Sequence, residues 1–267
     1  KAYIYTVDEP CDDGLLLVKQ QWEWACSILP EKDFQIILPL GLNRYYTEHE
    51  SDAVAFVEPY INIWCPQSYA FTDYAPYPER AANPDRYPSA GNYSFYSERI
   101  LKKYGQFEDR YNTFRENGNK MWWYICIGPE YPYANFFSSY QGSGVRAVLW
   151  QQYHYDIDGL LYWSVNNWQA ITKNSIKNNG DGVLLYWGEL FGQEFGPVAS
   201  VRLEYVRDGI EDFQYLTQLE ELTDRDTAMK YVDRITTGIL QFTEDYTDIV
   251  NVRDELGFMI EELSASK

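Results

Sequence analysis

The chain has 267 residues, of which 45% are hydrophobic, enough to build a sizeable core and too many for wholesale disorder. Lys and Arg number 22 against 40 Asp and Glu, a net charge of −18. That balance argues against a nucleic-acid partner and against docking on an anionic membrane, since both need a basic face.

The first stretch, residues 2–7, is aromatic and β-branched and reads as a strand running into Asp8-Glu9-Pro10. A helix follows, with Asp12 and Asp13 at its start and Leu15, Val18, Trp22, Ala25 and Leu29 at steps of three and four. Residues 34–38 form a second strand ending at Pro39, residues 48–58 are weakly helical, and residues 61–65 form a third strand stopped by Pro66. Residues 68–92, rich in Tyr, Pro, Asp and Ala, read as a long loop, and a helix over 94–117 ends at the C-terminal cap Gly118. Strands over 121–127 and 160–165 flank a helix over 144–156; residues 166–179 are a polar loop and 182–186 a short extra strand. From Val201 the period is 3.6, with Leu203, Val206, Ile210, Phe213 and Leu216 on one face, and two or three helices reach about residue 263.

Strand and helix alternate, the pattern of a parallel α/β sheet. Polar and aromatic residues gather after the strands, at Asp8-Glu9, Gln67, Tyr131–Asn135 and Asn166–Trp168. A (β/α)8 barrel builds its active site there. Five strands are too few to close one. The fold class predicted is α/β, the C-terminal part of a (β/α)8 TIM-type barrel over residues 1–200, followed by C-terminal helices over 201–267 packed on it in the same domain. An open sheet is the alternative.

Four cysteines without a C-x-x-C pair and two histidines, His49 and His154, suggest no metal site and no disulfide framework. No apolar run is long enough for a transmembrane helix. The 18% aromatic content, with 25 Tyr and 9 Trp, is the unusual number. Tyr and Trp pair an apolar face with a hydrogen-bonding tip. Sugars offer the matching C–H faces and hydroxyl edges, so a carbohydrate ligand is expected; an aromatic core is the competing use.

Asp8-Glu9 is the leading catalytic candidate. Two neighbouring acids at a strand end separate into a protonated and an ionised partner more readily than distant ones, which suits acid–base work. Acids placed to favour a helix N-terminus are the structural alternative. The segments 128–137 and 162–168 look like sugar platforms, or like aromatic packing.

These residues also carry a resemblance. Y-T-V-D-E-P at 5–10, W-W-Y-I-C-I-G-P-E-Y-P-Y-A-N-F-F at 122–137 and D-G-L-L-Y-W-S-V-N-N-W at 158–168 resemble blocks of glycoside hydrolase family 123. So do G-D-G-V-L-L-Y at 180–186 and the block at 196–213, in the same order. The resemblance implies a (β/α)8 barrel, usually preceded by a β-sandwich, so that an N-terminal barrel portion lies in the parent protein. It implies a retaining exo-glycosidase that removes β-linked N-acetylgalactosamine from a glycan or glycoconjugate, with no cofactor and no metal. The family's adjacent Asp-Glu pair maps onto Asp8 and Glu9, and its mechanism is substrate-assisted through an oxazolinium ion. Glu9 would be the acid and base, and Asp8 the partner of the acetamide N–H. Tyr124 or Tyr131 would donate to the acetamide oxygen, Trp163 or Trp168 would stack on the sugar, and Asn135 and Asn166 would bind hydroxyls. Arg202, Arg207, Asp208, Glu211 and Asp212 read as holding a helix to the barrel. Trp187 stands where relatives usually have Pro, and Gln214 where they often have Glu. The resemblance favours a secreted or periplasmic protein. A glycosidase of another sugar, or a non-catalytic glycan-binding protein, are the alternatives; the intact acid pair argues against the latter.

Overall fold

The structure, a computed structural model, describes residues 2–5, 7–30, 33–40, 53–71 and 107–265. The loop expected over 72–92, the start of the helix expected from 94 and residues 48–52 lie outside them. Contacts divide the chain into two units, Lys1–Tyr124 with Ile157–Leu161, and Ile125–Asp156 with Tyr162–Lys267.

In the first unit, β1 (Ala2–Tyr5), β2 (Phe34–Leu40), β3 (Ile63–Pro66), β4 (Lys120–Ile125) and β5 (Gly159–Tyr162) form one five-stranded sheet in the order β1-β2-β3-β4-β5. The helices α1 (Asp12–Ile28), α2 (Ala53–Val57) and α3 (Phe107–Glu116) come between its first four strands. Parallel neighbours in sequence order, joined by helices, are successive units of a TIM-type barrel. With five strands, this is a partial one. Among the described residues β1 pairs with β2 alone, so it stands at an edge of the sheet.

Parallel strands are covered on both faces and read as continuous apolar runs. Ile36, Ile37, Leu38 and Leu40 are all buried. The strand runs past Pro39, where a stop was expected. Among the described residues, pairing with β1 ends at Ile37, while pairing with β3 continues to Leu40. A residue lacking an N–H is tolerated where a strand is bonded on one side only. Of the stripe expected on α1, Leu15, Val18 and Ala25 are buried and Trp22 is half-buried, while Leu29 follows the end of the helix and is exposed. The Asp158 carboxylate accepts from the Met121 N–H at 2.8 Å, and the Trp122 ring fills the space beside Gly159.

The second unit contains α4 (Gly142–His154), α5 (Val201–Leu222), α6 (Arg225–Val232) and α7 (Tyr246–Ala265). Three small hairpins accompany them: β6 (Ile171–Thr172) with β7 (Ser175–Ile176), β8 (Leu185–Trp187) with β9 (Pro197–Ala199), and β10 (Thr236–Gly238) with β11 (Gln241–Phe242). Trp150 of α4, Leu216 and Leu219 of α5, Val232 of α6 and Ile249 and Leu256 of α7 share one core. The extra strand expected at 182–186 is β8, shifted to 185–187, and it pairs antiparallel with β9 rather than joining the sheet.

The apolar face expected on α5 is a correction. Ile210 is exposed, and the buried residues of α5 are Arg202, Gly209, Asp212, Leu216 and Leu219. Charges occupy the buried face because each finds a partner there. Arg146 donates to both oxygens of Asp212, from Nε at 2.8 Å and Nη2 at 2.7 Å, and Trp150 Nε1 adds a third bond at 3.0 Å. Arg207, by contrast, lies on the surface beside Glu204, Asp208 and Glu211.

Candidate functional site

The chain turns at the end of β1. Asp8 and Glu9 sit in a bend, and Glu9 has φ of +42°, in the left-handed region that non-glycine residues seldom enter. Successive side chains on a strand point to opposite faces, and this turn releases the two acids from that alternation. Asp8 is exposed and Glu9 half-buried. Each carboxylate has a phenol on it: Tyr5 donates to Asp8 Oδ1 at 2.9 Å, and Tyr124 donates to Glu9 Oε1. Tyr124 is buried near the end of β4, and its backbone bridges Gln67, the residue that follows β3. Asp8, Gln67 and Tyr124 thus all belong to the carboxyl ends of parallel strands. Burial raises the Tyr5 pKa, and the Asp8 hydrogen bond and charge raise it further, so Tyr5 stays a neutral donor. Sequence reasoning missed Tyr5. The available signal was its spacing, three residues ahead of Asp8 across a turn.

The second unit holds the other candidates. Tyr131 is 61% exposed, Trp163 51% and Trp168 36%. Asn166 is exposed, and its backbone bridges Val183. The two indoles are anchored by their N–H edges, which leaves ring surface open. Trp168 Nε1 donates to the Leu185 carbonyl at 3.0 Å, and Trp163 Nε1 donates to Asp181 Oδ2 at 3.0 Å. Gly182 lies against the Trp163 ring with φ of +72°, and a Cβ there would come within 2.4 Å of the ring.

Asn135 has a different place. It is fully buried, its amide donates to the Cys126 and Pro129 carbonyls at 3.1 and 2.8 Å, and its Oδ1 accepts from the Phe136 N–H. Those bonds pin the loop after β4 from behind.

Asp181 was also missed. It is 5% exposed, and burial raises its pKa. The Trp163 and Tyr162 side chains and the Gly182 and Ile127 N–H groups face the carboxylate and oppose that rise. The G-D-G sequence at 180–182 was the signal, since a turn with an acid between two glycines brings the chain close to other groups. Arg202 bolts this turn in place by donating to the Phe136 carbonyl at 2.6 Å, to the Gly180 carbonyl at 2.9 Å and to the Val183 carbonyl.

Beside these residues is a cavity of about 460 Å³, lined by the segment after β4 and by Asn178 and Asn179. Among the described residues, no group of three or more His, Cys, Asp or Glu is placed to hold a metal ion. No helix among them is long and apolar enough to cross a membrane.

Residues 79–219, over half of the chain, match the model of the glycoside hydrolase 123 catalytic domain. Asp8 and Glu9 precede the matched segment. No curated protein matches the sequence. Among solved structures, the chain is similar to a family 123 glycoside hydrolase from Clostridium perfringens, described for glycolipid glycan hydrolysis. The identity is 15% and the TM-score 0.59, over 99% of this chain and 42% of that one. That likeness shows a shared fold, and the chain spans less than half the length of that relative.

Proposed function

We infer the reaction from one premise: the chain belongs to glycoside hydrolase family 123, whose catalytic-domain model it matches over more than half its length. We propose that it removes β-linked N-acetylgalactosamine from glycans with retention, the substrate's own acetamide acting as nucleophile. The observation that carries this reading is the Asp8–Glu9 turn, two adjacent acids at a strand end, each held by a tyrosine hydroxyl.

In the first step the acetamide oxygen attacks the anomeric carbon, the glycosidic bond breaks, and Glu9 gives its proton to the departing oxygen. Asp8 accepts a hydrogen bond from the acetamide N–H and stabilises the oxazolinium cation as it forms. In the second step the Glu9 carboxylate takes a proton from water, whose oxygen attacks the anomeric carbon and reopens the ring. No protein nucleophile is needed, which sets this reaction apart from the usual two-carboxylate scheme. Tyr124 holds the acid, and Tyr131 is the remaining candidate donor to the acetamide oxygen. The open faces of Trp163 and Trp168 and the Asn166 amide suit a sugar's apolar face and hydroxyls. Asn135 supports the loop that carries Tyr131.

The test is the full protein with Glu9→Gln. Turnover of a natural glycan should fall by at least ~10²-fold, the usual scale for a lost general acid. An aryl glycoside with a good leaving group should lose less in its first step. Near-normal turnover would remove Glu9 from the role. Equal rates on 2-acetamido and 2-hydroxy sugars would point to a glycosidase of another specificity. Sugar binding without any turnover by the wild type would point to a glycan-binding protein.

A further inference from the structure

The backbone of the acid-bearing turn is held from behind. Pro10 is buried against the first turn of α1, where a Cβ on Gly14 would come within 2.7 Å of the Pro10 Cβ and 3.5 Å of Val7 Cγ1. The Asp8 side chain is exposed, and an exposed carboxylate chooses among its staggered rotamers unless a partner selects one.

Tyr5 is that partner. It is the last residue of β1, held in register opposite Ile37 of β2, so its ring stands on the sheet rather than on the turn. Its hydroxyl donates to Asp8 Oδ1 at 2.9 Å. With Oδ1 engaged, Oδ2 is the oxygen turned over to a ligand; among the described residues none donates to it.

The kind of donor matters as much as its place. Burial, the Asp8 hydrogen bond and the charges of Asp8 and Glu9 all raise the Tyr5 pKa, so the hydroxyl keeps its proton. A neutral phenol orients a carboxylate without cancelling its charge. An arginine or lysine in its place would fix Asp8 equally well, yet would repel the cation that Asp8 is required to stabilise.

We propose that Tyr5 is a positioning residue for the acetamide side of the reaction: it fixes Asp8 Oδ1 so that Oδ2 meets the acetamide N–H. This role rests on the glycosidase reading above and deepens it. The two tyrosines then divide the labour, Tyr5 serving the nucleophile through Asp8, and Tyr124 serving the leaving group through Glu9.

The test is a double-mutant cycle on the full protein with Tyr5→Phe and Asp8→Asn. Its substrates are two β-glycosides of N-acetylgalactosamine, an aryl glycoside with a good leaving group and an alkyl glycoside with a poor one. Tyr5→Phe keeps the ring and the strand pairing and removes one oxygen. It should lower kcat/KM by about 3- to 10-fold, the scale of one hydrogen bond, with the loss in kcat rather than KM. The factor should be the same on both substrates, because acetamide attack is needed whatever departs. In the Asp8→Asn background, measured on the aryl glycoside, adding Tyr5→Phe should change the rate by less than about twofold. A general loosening of β1 would cost activity in both backgrounds, so the cycle separates positioning from mere structure. Three results would overturn the role and leave the glycosidase reading standing: full activity in Tyr5→Phe, an undiminished cost of Tyr5→Phe beside Asp8→Asn, or a loss confined to the poor leaving group, which would hand Tyr5 to Glu9. If Asp8→Asn alone turns over both substrates at the wild-type rate, the acetamide-assisted reading fails and the role of Tyr5 with it.

Discussion

Asp8 lies exposed at the end of β1 and accepts from a neutral tyrosine hydroxyl, whereas Asp212 is fully buried between an arginine fork and an indole. Both stand in segments rich in other acids. Their surroundings, not their sequence neighbours, decide what each can do. Both Asp212 oxygens accept from Arg146, and Arg253 Nε stands 3.6 Å from one of them. A carboxylate so enclosed has no route to a substrate and serves to join α4 to α5. The acids of the first unit accept from tyrosine hydroxyls, at a bend where Asp8 is exposed to solvent.

The sharpest way to break this contrast is Asp212→Ala. It leaves the Arg146 guanidinium, 1% exposed, buried without its counter-ion. Removing one partner of a buried pair costs about 3–5 kcal/mol, because the remaining charge is uncompensated. Urea unfolding of the full protein should show that loss, and replacing Arg146 by Met in the same chain should restore part of it. A loss under ~1 kcal/mol would mean that the pair is hydrated and that the contrast drawn here is wrong. Asp8→Asn, in turn, should scarcely alter stability.

A second variant tests whether the platform of the second unit is as rigidly built as the Asp212 cluster. Gly182→Ala places a Cβ within 2.4 Å of the Trp163 ring, at a backbone conformation of φ +72°. A non-glycine residue forced there costs about 1–3 kcal/mol. The indole must also move off its Asp181 bond. Melting temperature and monosaccharide affinity should fall together. A variant with lowered stability but unchanged sugar affinity would separate Trp163 from binding.

The same contrast explains what was legible in the sequence. The parallel order of the first unit followed from the alternation of strands and helices, and the burial of Leu15, Val18 and Ala25 followed from their spacing. Both signals are local. Asp8-Glu9 was visible because two acids and a proline after a strand are unusual together. The α5 face was misread because periodicity counts apolar residues, and its buried side includes Arg202, Gly209 and Asp212, whose partners lie tens of residues away in the chain. Nothing near Asp212 announces Arg146. The two-residue strands β6 and β7 are too short for alternation to appear. Asp181 acquires meaning only from the groups that approach it in space.

Tyr124→Phe asks how much the phenol contributes to the acid it holds. The ring and its burial stay, and one bond to Glu9 Oε1 is lost. The kcat on a natural glycan should fall about tenfold, since a hydrogen bond to a charged group is worth roughly 1.5–3 kcal/mol and part of that is recovered by water. An aryl glycoside with a good leaving group should lose much less, because its first step needs little protonation. Equal losses on both substrates would move Tyr124 from positioning the acid to holding the sugar. A raised KM with unchanged kcat would do the same.

The smallest effect comes from an acid that works on neither side of the contrast. Asp224 caps α6, where its Oδ1 accepts from the Thr227 N–H at 2.7 Å, and that bond holds its carboxyl below the usual aspartate value. A group with a lower pKa folded than unfolded binds protons more readily in the unfolded chain. Its contribution is therefore complete above the unfolded value, near ~4, and drains away as pH falls through the lower folded value. Asp224→Asn keeps a capping oxygen and removes the titration. At pH 7 the variant should melt slightly below the wild type, since the ionised cap also favours the helix dipole. The gap should close as pH falls below about 4, as the wild-type carboxyl takes up its proton. A melting difference that stays constant across that interval would show that Asp224 caps by shape alone, with its charge contributing nothing.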